Sequence, residues 1–181
     1  MAKLIEYTLI SVDGVFDNPV GQGFMGFRDD AYIRDGLGLL SECGAMIMGR
    51  NFFEESAQIW TSRLNHPWAA RLNAMRKYVF SSTLVDVSAW ENSVLVAGDP
   101  LEEVARIKDE SRGDLVIWGH TQLAETLMRA GLVDVLDVSV HPVLSGSGAL
   151  LLREGLKQPM RLVATKCFTN IVKITYEPQY G

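Results

Sequence analysis

The chain has 181 residues, of which 48% are hydrophobic and 22% are charged, and its formal net charge is −5. This composition is typical of a globular protein with a substantial core, and the length predicts one domain over residues 1–181. The sequence has neither a block of like charge nor an apolar run of membrane-spanning length, so we expect neither a nucleic-acid partner nor a membrane partner.

The sequence shows no pattern typical of metal binding, disulfide bonding or export. Cys43 and Cys167 are far apart and stand beside apolar residues, so we interpret both as small buried hydrophobic side chains. The histidines are scattered without the spacing of metal ligands, and we predict no metal site. The N-terminus has one basic residue and no small-residue cleavage site, which makes the cytoplasm the expected location.

Short apolar β-type runs alternate with helical segments in the first half of the chain. We predict strands over residues 3–12, 45–48, 77–80 and 93–97. We predict helices over residues 28–42 and 51–57, and a third that begins near Pro67. A long loop over residues 13–27 precedes the first helix, and Gly44 is placed to end that helix.

The second half continues the alternation and then ends in a hairpin. Asp99 is a good N-cap, because Pro100 occupies the first helical position and Glu102 follows three residues after the cap. The remaining predicted elements are a strand over 115–118, a helix over 121–130 that Gly131 ends, a strand over 135–140, and a hairpin of 160–168 with 171–177. This order predicts an α/β fold: a central, mostly parallel sheet, flanking helices and an antiparallel C-terminal hairpin.

The stretch GAMIMGRNFFEES, residues 44–56, places a basic residue where a buried strand gives way to a helix. Free backbone N–H groups and the helix dipole make a helix N-terminus a natural anion site. Gly49 lets the chain approach a phosphate closely, and the guanidinium of Arg50 can bind one bidentately. The simpler interpretation is a surface arginine that follows a turn glycine.

A second junction of the same kind occurs in LVIWGHTQLAE, where Gly119 follows a buried strand and Thr121 can cap a helix. Two such junctions could hold the two phosphates of a dinucleotide, although an ordinary βα turn also favours glycine and threonine. Ser81 and Ser82 follow the strand KYVF, where their hydroxyls could contact an adenosine ribose or its phosphate, or could simply be turn residues.

Residues 21–26, GQGFMG, formally match the G-x-G-x-x-G fingerprint. We reject this match as a dinucleotide site, because the motif must directly follow a strand and here residues 13–20 intervene. A mobile lid near a ligand and a plain surface loop are both open interpretations of this segment.

Five segments together resemble the dihydrofolate-reductase-like superfamily, and most closely the reductase domain of riboflavin biosynthesis, the RibD C-terminal domain. The segments are ISVDGVF (10–16), IMGRNFFE (47–54), YVFSSTL (78–84), DLVIWGHTQLAETLMRAGLVDVLDVSVHPVLSGSG (114–148) and the closing hairpin. The resemblance covers nearly the whole chain and implies a three-layer fold that binds NADPH in an extended pose.

The resemblance also implies roles for individual residues. Phosphate would be held at the first junction, with Arg50 and Ser81 or Ser82 near the 2′-phosphate, and the second junction would wrap the pyrophosphate. The cofactor-binding residues implied are Gly49, Arg50, Asn51, Ser81, Ser82, Gly119, His120, Thr121, Gln122 and Leu123. Asp13 would stand beside the nicotinamide as the catalytic residue, unless it is a turn aspartate that bonds its own backbone.

This chain departs from the family pattern at three points, one of which is His141, which stands before Pro142 where a small residue is more usual. His120 stands where the family commonly has a second glycine, and the acid that protonates dihydrofolate has no clean counterpart. The resemblance implies an NADPH-dependent reductase acting on a phosphoribosylamino-pyrimidine or related small heterocycle, and relatives are often homodimers. The alternatives are a dihydrofolate-reductase-like pteridine reductase and an NADPH-binding sensor without turnover.

Overall fold

A sheet of eight strands is the central layer of the fold. The computed structural model describes residues 1–16, 22–151 and 156–181. In chain order the strands of the described residues are β1 (Leu4–Ser11), β2 (Val15–Phe16), β3 (Cys43–Gly49), β4 (Arg76–Phe80), β5 (Ser93–Val96), β6 (Asp114–Trp118), β7 (Val135–His141), β8 (Ala149–Leu150), β9 (Met160–Cys167) and β10 (Val172–Pro178). The two short strands β2 and β8 are additional to the eight and pair with each other in a separate small sheet. Within the described ranges the α-helices are α1 (Asp30–Glu42), α2 (Arg50–Trp60), α3 (Ala69–Ala74), α4 (Pro100–Glu110) and α5 (Gln122–Arg129), and a 3₁₀ helix spans Gln22–Phe27.

The strand order in the large sheet is β5-β4-β3-β6-β1-β7-β10-β9. The pairs from β5 to β7 are parallel, while β10 pairs antiparallel with both β7 and β9. The central strands are buried on both faces, as parallel strands covered by helices must be. The predicted α/β fold with its antiparallel C-terminal hairpin is therefore confirmed.

Helices cover the sheet on both faces and divide the core in two. One cluster contains apolar residues of α1, α2 and α3 and all four tryptophans, while the other contains residues of α4 and α5 and is mainly aliphatic. The helices that follow the adjacent strands β3 and β6, which are α2 and α5, therefore lie on opposite faces of the sheet. Where the connections after two neighbouring parallel strands lead to opposite faces, a crevice forms at the carboxyl ends of those strands.

Several predicted helix boundaries are confirmed and two need correction. Asp99 caps α4 through its side chain, with Pro100 in the first turn. Gly131 follows the C-cap of α5, Ala130, and ends the helix with a φ of +74°. Gly44 does not end α1: the helix stops at Glu42, and Gly44 lies inside β3 against the backbone of Gly113. Helix α2 extends three residues past its predicted end at residue 57, to Trp60.

One predicted buried side chain is exposed. Cys43 is 1% exposed, as expected, but Cys167 is exposed because β9 is the outermost strand of the sheet. The predicted lid over residues 13–27 and the G-x-G-x-x-G match beginning at Gly21 fall partly outside the described residues. None of the helices within the described part of the chain has the length and apolarity to cross a membrane.

Candidate functional site

A cleft with a volume of about 820 Å³ lies at the carboxyl ends of β3, β4, β5 and β6. Its size is within the range of small-molecule sites, roughly 300–1,000 Å³. The residues that line it are Gly49, Arg50, Asn51, Phe52, Phe80, Ser81, Ser82, Thr83, Val96, Ala97, Gly98, Pro100, Thr121, Gln122, Leu123 and Thr126. The structure therefore brings together every sequence-predicted cofactor residue except Gly119 and His120.

The first junction forms one wall of the cleft. Gly49 is the N-cap of α2 and has no side chain with which to cap it, so the first N–H groups of α2 are available to a ligand. A Cβ added at Gly49 would meet nothing within 4 Å, so the space beside its backbone is open. This end of the cleft has the positive partial charge and the room that a phosphate requires.

Arg50 is held over the cleft by two side-chain contacts. Its Nε donates to Oε1 of Glu54 at 2.9 Å, and its Nη1 donates to Oγ1 of Thr83 at 2.9 Å. The side chain is 47% exposed, so these contacts restrict the guanidinium without burying it. Glu54 partly neutralises the charge in the free protein, and an anionic ligand would compete with it.

The serine–threonine turn after β4 forms the neighbouring wall. Ser81 Oγ accepts hydrogen bonds from the backbone N–H groups of Thr83 and Leu84, at 3.1 and 3.0 Å. Ser81 therefore shapes the turn, as the turn interpretation predicted, while its O–H and the exposed Ser82 remain part of the lining. The two interpretations of these serines are compatible.

The second junction forms the opposite wall. Thr121 caps α5 by accepting a hydrogen bond from the backbone N–H of Ala124 at 3.3 Å. Because the hydroxyl oxygen is the acceptor in this bond, its O–H proton can still be donated to a ligand. Gln122 and Leu123, in the first turn of α5, complete this side of the cleft.

Gly119 and His120 are placed differently from the rest of the predicted set. The imidazole of His120 is 3% exposed, and its Nδ1 lies 2.7 Å from Oε1 of the fully buried Glu6. This side chain therefore turns away from the cleft, which corrects the expectation that it would wrap the pyrophosphate. Its partner could have been suspected from the sequence, because Glu6 is the only charged residue of β1, but it lies 114 residues away in the chain.

Asp13 connects the end of β1 to the loop at residues 145 and 146 through hydrogen bonds. Its carboxylate accepts hydrogen bonds from Ser11 Oγ and from the backbone N–H groups of Ser145 and Gly146. These bonds, with that of Ser11 the largest contribution, lower the pKa of Asp13 to about 2. Asp13 is exposed and is ionised near neutral pH. It lines neither the 820 Å³ cleft nor the smaller cavity that includes Gly119. A role as proton donor thus has no geometric support.

A smaller cavity includes Gly119 in its lining, and its other lining residues were not predicted as site residues from the sequence. We refer to this group as the tryptophan cavity: Tyr7, Leu9, Phe16, Arg28, Trp60, Trp68, Trp118 and Gly119. Gly119 has a φ of +75°, and a Cβ there would meet the ring of Phe16 at 2.5 Å. The positive φ favours glycine at this position, and the close approach of the Phe16 ring uses the space that a side chain would need.

The buried side chain of His141, close to Tyr32, should make the free energy of unfolding depend on pH. The side chain is fully buried, stacks on Phe24 and donates through Nδ1 to the carbonyl of Ser139. Burial lowers its pKa from 6.5 to about 4, with the charge of Arg28 contributing. The unfolded chain therefore binds more protons between these values, so stability is lost as pH falls from about 6.5 towards 4.

The variant His141→Phe keeps an aromatic ring but cannot titrate, so its stability should depend less steeply on pH in that window. Urea unfolding at a series of pH values would measure this. Asp13 and Asp29, whose pKa values are lowered from 3.8 to about 2, contribute equally to both proteins, so the difference between the two pH dependences reports His141. An unchanged slope in the variant would show that another group causes the acid sensitivity.

The sequence relatives identify the family. A family model described as the RibD C-terminal domain matches residues 2–175. The chain belongs to the RibD C-terminal domain family. This RibD C-terminal domain is also 32% identical over 188 residues to YyaP of Bacillus subtilis (strain 168), a protein described as uncharacterized, with 96% of this chain and 94% of YyaP covered.

Solved structures show that the RibD C-terminal domain described here has the expected fold. A putative riboflavin biosynthesis protein from Shewanella sp. PV-4 is similar, with a TM-score of 0.75, 18% identity, and coverage of 99% of this chain and 100% of that chain. A diaminohydroxyphosphoribosylaminopyrimidine deaminase/5-amino-6-(5-phosphoribosylamino)uracil reductase from Thermotoga maritima has a TM-score of 0.70 at 11% identity, covering 98% of this chain and 57% of that chain. These likenesses show the fold alone, a mostly parallel α/β sheet with an antiparallel C-terminal hairpin.

Proposed function

We propose that this protein is an NADPH-dependent reductase whose large cleft holds the adenosine and phosphate half of the cofactor. The observation that carries the proposal is the meeting, at one cleft, of two helix N-termini, a restrained arginine and a serine–threonine turn. Three features that each favour phosphate would be coincidental in a cleft without an anionic ligand.

Each wall has a distinct role in this proposal. Arg50 and the turn at Ser81 and Ser82 contact the 2′-phosphate, which NADH lacks. The open backbone at Gly49 and Asn51 and the capped start of α5 at Thr121 hold the pyrophosphate between them. His120 contributes only its backbone, because its side chain bonds to Glu6.

The reacting end of the cofactor would lie towards Gly119, where the cleft and the tryptophan cavity come closest along β6. NADPH supplies the hydride, and the protein supplies position, exclusion of water and electrostatics. The ring of Phe16 rests against Gly119 in the structure described here, so it must move aside before a cofactor ring can reach that backbone.

The substrate we propose is a small heterocycle of the phosphoribosylamino-pyrimidine class, and the reaction is of the 5-amino-6-(5-phosphoribosylamino)uracil reductase type in riboflavin biosynthesis. Membership of the RibD C-terminal domain family and the name of the Thermotoga protein support this choice. Pteridine reduction stays the alternative. The cytoplasm stays the predicted location.

The experiment that tests turnover follows NADPH absorbance while candidate pyrimidines and pterins are added one at a time. We expect oxidation that depends on both protein and heterocycle, and much slower oxidation of NADH at the same concentration. Oxidation of NADH as fast as NADPH would contradict the proposed role of Arg50.

A second candidate function is an NADPH-binding sensor without turnover. It is favoured by the ionised, exposed Asp13, which leaves no carboxylic acid beside the described part of the tryptophan cavity. Tight NADPH binding without oxidation across the whole panel would favour the sensor over the reductase.

We also propose a homodimer that forms through β9. This strand is one of the two edges of the large sheet, and its Leu162 and Val163 are 56% and 47% exposed. An apolar, unpaired edge strand favours association with another chain. The other predicted interface, the strand over 135–140, is now excluded as an edge because β7 pairs with β1 and β10.

Light scattering at micromolar concentration should give twice the chain mass of 20.1 kDa. The substitution Val163→Lys on the edge should shift the mass to that of one chain, whereas Val85→Lys, at an exposed position outside the sheet, should not. A single-chain mass for the unmodified protein would contradict the proposal.

A further inference from the structure

The tryptophan cavity contains an unusual number of hydrogen-bond donors without acceptors. Trp60 and Trp118 are 2% and 7% exposed, and the indole N–H of each has no partner within the described part of the chain. The Nε of Arg28, on the same cavity, is likewise buried and unpartnered among those residues. Indole and guanidinium groups can donate but cannot accept, so these three cannot satisfy one another.

Among the described residues, no acidic side chain compensates the charge of Arg28. Its guanidinium carbon lies 5.7 Å from the ring centre of Trp68 and 6.0 Å from that of Tyr32, and no carboxylate pairs with it across residues 1–16, 22–151 and 156–181. Burial raises the pKa of Tyr7 and of Tyr32 and lowers that of His141, so these neighbours are neutral near pH 7. A half-buried cation without a partner is costly, and a bound anion removes that cost.

The walls of the cavity are suited to a flat ring. The indoles of Trp60, Trp68 and Trp118 lie within 6.5 Å of one another, centre to centre, and Tyr7 lies 5.9 Å from Trp118. Trp68 is not an open donor, because its indole N–H bonds to the carbonyl of Ile33 at 2.8 Å. Flat apolar faces with three donors at their edge complement a planar molecule rich in acceptors.

We infer that the tryptophan cavity binds the planar ring of a substrate that carries its negative charge on the ring itself, as a ring carboxylate or a conjugated oxyanion, which Arg28 and the indole N–H groups of Trp60 and Trp118 bind. This inference rests on the proposed reductase function but departs from the phosphoribosylamino-pyrimidine class, whose charge is on the phosphate: the substrate it names is a small heterocycle whose ring itself is anionic. It differs from binding through a distant phosphate, because all three donors border the ring pocket.

Phe16 occupies the place that such a ring requires. The cavity has a volume of about 20 Å³ with Phe16 against Gly119, which is room for about one water molecule. Phe16 belongs to the two-residue strand β2, whose only described partner is the equally short β8. The ligand ring therefore displaces the Phe16 ring.

Calorimetry with three probes tests the inference: orotate, a pyrimidine with a carboxylate on its ring; uracil, the same ring without the carboxylate; and ribose 5-phosphate, a phosphate without the ring. We expect saturable orotate binding and at least a tenfold preference for orotate over uracil. The variant Arg28→Met, which keeps an apolar stem, should remove that preference. The control Arg50→Ala should keep it, because Arg50 lines the other cleft.

Indole N–H signals in NMR spectra locate the bound probe. Those of Trp60 and Trp118 should shift when orotate is added, while those of Trp68 and Trp90, already bonded to Ile33 and Asn73, should stay in place. The variant Phe16→Ala should strengthen orotate binding. Thermal unfolding of Arg28→Met beside the unmodified protein serves as the check that this variant is folded.

Three results would overturn the inference: equal binding of orotate and uracil, orotate binding that survives in Arg28→Met, or ribose 5-phosphate binding that depends on Arg28. The last would assign Arg28 to a distant phosphate instead. Failure of the proposed reductase is a separate result, because it appears as absent NADPH binding while the orotate titration is read independently.

Discussion

Replacing Arg50 by alanine should weaken NADPH binding by about 1.5–3 kcal/mol, roughly 10- to 150-fold in Kd, and leave NADH binding nearly unchanged. The reason is that the guanidinium makes a charge-assisted bond only to the 2′-phosphate. Arg50 is already restrained by Thr83 and Glu54, so little side-chain entropy is lost when it binds. Calorimetric titration of both cofactors against both proteins measures the effect.

Two neighbouring substitutions serve as controls for Arg50→Ala. Glu54→Gln removes the carboxylate that competes for the guanidinium, so NADPH should bind slightly more tightly, by about 0.3–1 kcal/mol. Thr83→Val removes the other restraint while keeping the charge, and should cost less than the loss of Arg50. Equal losses for NADPH and NADH in Arg50→Ala would contradict the assignment of Arg50 to the 2′-phosphate.

Replacing Lys77 by methionine should cost about 3 kcal/mol of the free energy of unfolding. Lys77 is fully buried in β4, and its Nζ donates to the carbonyls of Met75, Glu91 and Asn73 at 2.7, 2.9 and 3.2 Å. The ammonium also lies 4.6 Å from the ring centre of Trp90. Methionine fills similar space but leaves the carbonyls of Met75 and Glu91 without the ammonium donor, at about 1 kcal/mol each, and it loses the contact of the cation with Trp90, at about 1 kcal/mol. The carbonyl of Asn73 keeps a donor, the side-chain amide of Asn92 at 2.9 Å.

Urea unfolding of Lys77→Met, with the exposed Lys157→Met as the matched control, measures this loss. The control should lie within about 0.5 kcal/mol of the unmodified protein, as is usual for surface positions. Burial lowers the pKa of Lys77 to about 8, so most of the ammonium is still protonated near pH 7, where the comparison is made. A loss of less than about 1 kcal/mol would mean that water replaces the ammonium.

Local signals in the sequence were sufficient for most of the fold. The N-cap at Asp99, the cap at Thr121 and the stop at Gly131 each act within a few residues, and all three are present in the structure. The adenosine side of the candidate site was predictable for the same reason. Strand–glycine–helix junctions are local, and the strand order then brings two of them to one cleft.

The remaining features depend on partners that are distant in the sequence. His120 meets Glu6, and Asp13 meets the loop at residues 145 and 146, across more than 100 positions. The exposure of Cys167 depends on β9 being the last strand of the sheet. Arg28 has no local pattern at all, since its significance comes only from the donors and rings that the fold assembles around it.

The most direct test of the account is one calorimetric titration of the unmodified protein with NADPH. We expect saturable binding at one site per chain, weaker binding of NADH, and competition from adenosine 2′,5′-bisphosphate, which carries the 2′-phosphate without the nicotinamide. Absence of heat at NADPH concentrations that saturate ordinary reductases would contradict the central claim that the cleft between α2 and α5 is a cofactor site.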